Sequence, residues 1–181
     1  MRKSTPYLLL VPALLFTVFV LVYPLIQNLV NSISNVSMIT GRSGWAGLQN
    51  FVEVFEDNLF WRSFRNTAVY ALVGTLLAIV IGLAFALLLN LKLGRVSTVM
   101  ACLYTVPWVI SPVVAGFAWK WLLNDNFGII NFWLASAGIA KIGTTWLGDP
   151  GTALLCVMVA RVWQFYPFAM VMFLAGLQSI H

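Results

Sequence analysis

Four apolar stretches, each long enough to cross a lipid bilayer, constrain this chain more than any other feature. They run over residues 7–30, 68–91, 96–119 and 153–176, near the roughly 20 residues that cross a hydrocarbon layer about 30 Å thick. With 61% hydrophobic and only 8% charged residues, the chain has more apolar surface than one globular core can hide. Because lipid gives backbone groups no hydrogen-bonding partner, each stretch is predicted to be an α-helix. The predicted fold class is all-α, a polytopic transmembrane helix bundle.

The basic residues indicate the orientation of these helices. Arg2, Lys3, Lys92 and Arg95 lie in two short segments, the N-terminus and the connection between the second and third stretches, whereas all five acids lie in the other two connections. Short connections rich in lysine and arginine stay on the cytoplasmic side, so both termini of this chain are predicted to be cytoplasmic. The first stretch is interpreted as an uncleaved helix, because no small-x-small cleavage site follows it.

The two acidic connections contain shorter helical patterns. Apolar residues recur along residues 51–64 and predict an amphipathic helix at the outer interface, with Trp45 and Trp61 as aromatic anchors. In the other connection, residues 124–128 predict a turn and residues 129–134 a second short interfacial helix. Neither connection is large enough to form a catalytic domain.

The second apolar stretch has a small residue at every fourth position. Gly74, Ala78, Gly82 and Ala86 therefore form a nearly continuous small stripe on one helix face. Such a stripe allows another helix to approach closely. Small residues are also common in membrane helices in general, and this alternative stays open.

The third stretch contains two prolines, Pro107 and Pro112, which leave the carbonyls of Leu103 and Trp108 without helical partners. It is predicted to be a kinked helix. Four residues at i, i+4, i+7 and i+11 are predicted to share one of its faces: Tyr104, Trp108, Ser111 and Ala115. This face either packs against a neighbouring helix or lines a solute path.

The fourth stretch carries a charge and an amide in apolar surroundings. Arg161, Gln164, Phe165 and Phe168 share a face, and Pro167 is a third predicted kink. Intramembrane ionisable groups usually face a bundle interior or an aqueous path. A guanidinium, an amide and aromatic rings suit a polyhydroxylated solute, whose hydroxyls need partners while its C–H faces stack on rings. Alternatively, Arg161 extends to the outer interface or pairs with a partner helix.

No arrangement of residues indicates an enzyme. The sequence has no G-x-x-x-x-G-K-[ST] phosphate-binding loop and no paired carboxylates within a predicted span, which disfavours intrinsic ATP hydrolysis and a proton relay. Its two cysteines lack metal-ligand spacing, so no metal or cofactor is predicted. There is also no basic and aromatic patch of the kind that binds nucleic acid.

An ordered set of short motifs resembles the permease subunits of bacterial ABC-type carbohydrate importers, in the branch with maltose-type and glycerol-phosphate-type systems. Each motif is weak alone, but the set spans the chain in the family's order. The motifs are Tyr7-Leu8-Leu9-Leu10-Val11-Pro12-Ala13 with Tyr23-Pro24, Gly47-Leu48-Gln49-Asn50-Phe51, Phe60-Trp61-Arg62-Ser63-Phe64-Arg65-Asn66-Thr67, Pro107-Trp108, residues 124–131, and Ala175-Gly176-Leu177-Gln178-Ser179-Ile180.

The resemblance implies a six-helix permease of the bacterial inner membrane, with four of the six helices in this chain. It implies a second permease, two ATPase subunits and an extracytoplasmic sugar-binding protein as partners, and a sugar as the solute. Maltose-type relatives hold the sugar at mid-membrane, and the corresponding positions are predicted as the substrate path here: Tyr104, Trp108, Arg161, Gln164 and Phe165. Only Tyr104 matches the maltose-type identity, so the same disaccharide is not implied.

Two domain-level expectations complete this interpretation. Residues 1–66 are predicted to form the first transmembrane helix and an external segment, and residues 67–181 the N-terminal part of the permease core. The family continues beyond the last motif with a cytoplasmic helix that docks on the ATPase, so the chain is expected to be a truncated permease. The alternatives are a small secondary carrier or channel, and a membrane assembly protein that transports nothing.

Overall fold

A computed structural model describes residues 5–36, 43–91, 94–141 and 143–179. The expectations that concern Arg2, Lys3 and Lys92 lie outside these ranges. The helices are α1 (Thr5–Thr17), a π-helical turn (Val18–Val22), α2 (Tyr23–Ser32), α3 (Gln49–Glu56), α4 (Asn58–Asn90), α5 (Arg95–Val109), α6 (Pro112–Leu122), α7 (Ile129–Ser136) and α8 (Ala153–Ser179), and two short strands are β1 (Ser34–Val36) and β2 (Ser43–Trp45).

The described helices have the lengths that a membrane protein needs. Three of them, Leu9–Ser32, Asn58–Asn90 and Ala153–Ser179, are long and apolar enough to cross a bilayer, and the bent pair α5 and α6 makes a fourth if its halves form one span. The all-α membrane fold predicted from the sequence is confirmed. Contacts divide the chain into two compact units, Met1–Ser63 and Phe64–His181.

In the first unit, the long apolar helix contains one widened turn. The N–H of Tyr23 donates to the carbonyl of Val18, five residues back, as in a π-helix. Pro24 follows directly, has no N–H for the carbonyl of Val20, and crowds that carbonyl with its ring. A widened turn just before the proline accommodates both defects, and helices commonly bend at such turns.

A small hairpin follows this helix. Strands β1 and β2 pair antiparallel, with Ser34 opposite Trp45. The Nδ2 of Asn50, in α3, donates to the carbonyls of Ser32 at 2.9 Å and Ser34 at 3.1 Å. One amide side chain therefore joins the end of α2, the hairpin and α3.

The single amphipathic helix predicted over residues 51–64 is wrong. The segment divides at Asp57, whose backbone is extended. Asp57 Oδ1 accepts a hydrogen bond of 2.7 Å from the N–H of Leu59, which caps the start of α4 as aspartate often does. Helix α4 consequently begins at Asn58, earlier than the predicted Ala68, and runs for 33 residues.

In the second unit, α4 and α8 approach closely where the small stripe lies. Gly74, Ala78, Gly82 and Ala86 are all buried. A Cβ atom on Gly82 would lie 2.7 Å from the Cβ of Ala169 and 2.8 Å from the backbone nitrogen of the next residue. Only glycine allows this approach, because a backbone atom cannot move aside as a flexible side chain can.

The packed core of this unit lies next to that crossing. Ala86 and Leu89 of α4 are buried against Met170 of α8, and Tyr104 of α5 packs beside them. Most other apolar side chains face outward, as expected for helices whose solvent is lipid.

The third apolar stretch is broken rather than kinked. Helices α5 and α6 meet at 94°, and Ile110 and Ser111 between them have extended ψ angles of 131° and 136°. A proline disfavours helical backbone in the residue before it, which explains Ser111. Pro112 itself fits the first turn of α6, where its missing N–H loses no bond.

This break corrects the prediction of one kinked helix over residues 96–119. The prediction that Tyr104, Trp108, Ser111 and Ala115 share one helix face is wrong beyond Trp108, because helical register does not continue through the break. Pro107 and Pro167, in contrast, remain inside α5 and α8 and are buried.

Candidate functional site

The side chain of Gln164 is hydrogen-bonded to the backbone at the break between α5 and α6. Its Nε2 atom donates to the carbonyl oxygen of Ile110 at 2.9 Å, and the side chain is buried. Because Ile110 has extended backbone at the end of α5, its carbonyl lies outside the regular helical ladder. In apolar surroundings an unpaired carbonyl is unfavourable. The structure thus gives Gln164 a backbone partner, and its contact with a solute stays a prediction.

Tyr104 lies in the core between three helices. Its ring centroid is 4.6 Å from that of Phe85, which in turn is 5.2 Å from the ring of Tyr166. The Tyr166 hydroxyl donates to the backbone carbonyl of Tyr104 at 3.4 Å. These contacts hold Tyr104 against α4 and α8, and its place on a solute path also stays a prediction.

The other three predicted path residues lie together with Phe168 in what we call the aromatic row: Arg161, Phe165, Phe168 and Trp108. The Arg161 guanidinium carbon lies 4.5 Å from the ring centroid of Phe165. The centroids of Phe165 and Phe168 are 5.3 Å apart, and those of Phe168 and Trp108 are 5.5 Å apart. Trp108 is 45% exposed and Phe168 37%. The row is therefore an accessible wall of rings that ends in a cation.

The environment of Arg161 leaves part of its charge uncompensated. Arg161 lies eight residues after Ala153, the first residue of α8, or about 12 Å along the helix axis. An arginine near the bilayer centre costs about 2.5–3.5 kcal/mol. Stacking on an aromatic ring returns about 0.5–2 kcal/mol. Since one ring cannot accept hydrogen bonds from all five N–H groups of a guanidinium, some of these groups still require acceptors.

A groove on a different face of α8 has another chemical character. Trp119, Trp163 and Tyr166 line it together with aliphatic residues of α4 and α8, and its volume is 360 Å³. The rings of Trp119 and Trp163 meet edge to face at 5.8 Å. Because the lining is almost entirely apolar, this groove suits an acyl chain or another helix better than a hydroxylated solute.

The role of Asn131 in the loops that follow the C-terminal end of α6 was not predicted from the sequence. The predicted turn before it and the predicted helix α7 are confirmed. Asn131 is 3% exposed, and its Nδ2 lies within 3.4 Å of the carbonyls of Asn124, Asp125 and Thr144. It therefore ties the loop before α7 to the loop after it. An amide in the otherwise apolar pattern of α7 was the available signal.

A tight turn supports the same junction. Asn124 Oδ1 accepts hydrogen bonds from the N–H groups of Asn126 at 2.9 Å and Phe127 at 3.2 Å. A Cβ atom on Gly128 would overlap the backbone of Asn124, so glycine is needed there. The junction fixes the direction in which the chain returns from α6 toward α8.

Among the described residues, three helices long enough to span a bilayer and a bent pair that could form a fourth are the features of an integral membrane protein. No protein-family model matches the chain. Among curated proteins, the probable ABC transporter permease protein YurN of Bacillus subtilis is 32% identical over 180 residues, which are 99% of this chain and 61% of that protein. The trehalose/maltose transport system permease protein MalF of Thermococcus litoralis is 29% identical over 175 residues, or 96% of this chain and 58% of that protein.

A solved structure has the same fold. A chain in the crystal structure of a bacterial ABC transporter involved in the import of the acidic polysaccharide alginate superposes with a TM-score of 0.82 at 20% identity, covering 99% of this chain and 59% of that one. The chain is thus homologous to the permeases of ABC transporters along nearly its whole length, which confirms the resemblance described above. It spans about three fifths of the length of these relatives.

Proposed function

We propose that the chain is a membrane-spanning permease component of an ATP-driven ABC sugar importer and forms part of the solute path. The homology to ABC transporter permeases over 99% of the chain carries this proposal. Sugar as the solute is supported by the Thermococcus relative, a trehalose/maltose transport system permease protein, and by the alginate importer of the same fold.

The aromatic row is the part of this path that the chain contributes. Half-exposed rings such as Trp108 and Phe168 offer faces on which the C–H side of a sugar ring stacks. The guanidinium of Arg161 offers donors to oxygen atoms at the end of the same wall. Tyr104 and Gln164 belong to the same predicted path, and their contacts with neighbouring helices also hold the helices that present this wall.

The partners of the chain are a second permease subunit, two ATPase subunits and an extracytoplasmic sugar-binding protein. A binding-protein partner is supported by the structure of the alginate ABC transporter in complex with an alginate pentasaccharide-bound periplasmic protein, which shares this fold. The sequence has no phosphate-binding loop, so ATP hydrolysis belongs to the separate subunits, which drive the permease between outward-open and inward-open states.

The chain resides in the bacterial cytoplasmic membrane, with both of its own ends on the cytoplasmic side. Single cysteines in a background lacking Cys102 and Cys156 test this orientation. A membrane-impermeant thiol reagent applied to intact cells should label Glu56→Cys and leave Leu91→Cys unlabelled, because the connection with Arg95 faces inside. Labelling of Leu91→Cys with protection of Glu56→Cys would invert the topology.

Uptake measurements test the function itself. Deletion of the gene from its native host should abolish the uptake of at least one labelled carbohydrate, and expression of the full reading frame should restore it. Uptake should stop when ATP is depleted and persist when the proton gradient is collapsed. Uptake with the opposite dependence would favour a secondary carrier, and unchanged uptake of every carbohydrate would favour an assembly protein.

A further inference from the structure

We propose that Arg161 makes the solute path selective for carbohydrates that carry an oxyanion, either a carboxylate or a phosphate. This inference rests on the proposed function and names the substrate class of the same site. It starts from one observation, a guanidinium that is exposed on a membrane helix and contacts a ring rather than a carboxylate.

Both carboxylates of the second unit accept hydrogen bonds from groups next to them in the chain rather than from Arg161. Its acidic side chains are Asp125 and Asp149. Asp149 Oδ1 accepts a hydrogen bond of 3.1 Å from the N–H of Gly151, just before α8, and Asp125 Oδ1 accepts one of 3.0 Å from Asn126 Nδ2. Asp149 also precedes Arg161 by twelve residues, which is more than three helical turns. Among the described residues of this unit, Arg161 therefore has no built-in acidic partner.

The contact with Phe165 cannot occupy all the N–H groups of the guanidinium. The guanidinium carbon lies over the Phe165 ring, 4.5 Å from its centroid, whereas the group carries five N–H donors. The N–H groups lie in the plane, and their fork matches both oxygens of a carboxylate or two oxygens of a phosphate. Contact with the ring also restricts the Arg161 side chain, which reduces the conformational entropy lost when an oxyanion binds.

The rest of the aromatic row fits the neutral part of the same solute. Ring centroids separated by 5.3 and 5.5 Å continue from Phe165 through Phe168 to Trp108. The amide next to the row, on Gln164, donates to the backbone of Ile110 rather than into the row. The wall therefore combines a cation with stacking surfaces, which favours a sugar ring that bears a negative group over a sugar with hydroxyls alone.

Competition assays test this selectivity in cells that contain the assembled transporter. Unlabelled sugars compete with the uptake of the labelled carbohydrate that the transporter carries. The probes are three matched hexoses: the neutral sugar, its uronate and its 6-phosphate. In the wild type, the uronate or the phosphate should compete at about 10- to 100-fold lower concentration than the neutral hexose, and the better of the two identifies the oxyanion.

Three variants at equal membrane abundance complete the experiment. Arg161→Gln should raise the half-maximal concentration of the anionic sugar about 10- to 100-fold and change that of the neutral sugar less than about twofold. Arg161→Lys keeps the charge without the fork and should fall between Arg161→Gln and the wild type. Lys120→Gln, which removes a cation outside the row, should behave as the wild type does.

The outcomes separate this inference from the proposed function. Uptake of neutral hexoses in preference to both anions would overturn the inference and leave the permease assignment standing. An equal loss for all sugars, or a fall in protein abundance, in both Arg161→Gln and Arg161→Lys would show that Arg161 pairs with a neighbouring subunit instead. Absence of uptake of every carbohydrate in the wild type would overturn both proposals.

Discussion

The hydrogen bond between Gln164 and the broken helix offers a sharp test of how the fold is held together. Gln164→Met removes the donor while nearly preserving the length and volume of the side chain. The carbonyl of Ile110, now 2.9 Å from an amide nitrogen, is then left unpaired in a partly buried position. Such a loss costs about 1–3 kcal/mol, or roughly a five- to 150-fold increase in the population of the opened break. Gln164→Ala should cost more, because it also leaves a cavity.

Two measurements on purified protein in detergent check this expectation. The first is the free energy of unfolding in an SDS titration. The second is the alkylation rate of a reporter, Ala115→Cys, in a background lacking the native cysteines; Ala115 is 4% exposed in α6, so its thiol reacts when this part opens. Gln178→Met on the exposed part of the same helix is the matched control and should change stability by less than about 0.5 kcal/mol. Equal behaviour of Gln164→Met and Gln178→Met in both measurements would refute a stabilising role for this bond.

Three further substitutions probe other parts of the structure. Gly82→Ala should lower the free energy of unfolding by about 1–3 kcal/mol, because the new Cβ would lie 2.7 Å from that of Ala169. Gly74→Ala on the same stripe is the control. Its new Cβ has no atom within 4 Å, so this variant should be neutral or stabilising in the same SDS titration. Asn131→Asp should reduce thermal stability more than Asn131→Ala, since a carboxylate would face three carbonyls; equal melting temperatures would contradict the assigned contacts. Trp108→Ala should change the ranking of competing sugars in uptake assays at unchanged protein abundance, and an unchanged ranking would remove Trp108 from the solute path.

Side chains that are neighbours along one helix were predictable from the sequence. The small stripe around Gly82 follows from four-residue spacing, and so does the pairing of Arg161 with Phe165. Hydrophobic length predicted where α8 begins, because Ala153 starts both the apolar run and the helix. These features depend on helical geometry alone.

Features that depend on a distant partner were not predictable in the same way. Pro112 permits either a kink or a complete break, and the break is stabilised by Gln164, 54 residues from Ile110. The inward direction of Tyr104 likewise depends on Phe85 and Tyr166, which lie on two other helices. Spacing along one chain segment carries no information on such contacts.

The break between α5 and α6 also has a consequence for how the protein enters the membrane during synthesis. Helix α5 has 15 residues and α6 has 11, or about 22 and 16 Å of helix, and each is shorter than a hydrocarbon layer of about 30 Å. The carbonyl of Ile110 gains its partner only after the ribosome has added the 54 residues up to Gln164. Until then water or the insertion machinery must satisfy that carbonyl. We therefore expect the segment from Arg95 to Leu122 to leave the translocon together with α8 rather than before it. In ribosome-bound chains that end before Gln164, this segment should still be extractable from the membrane.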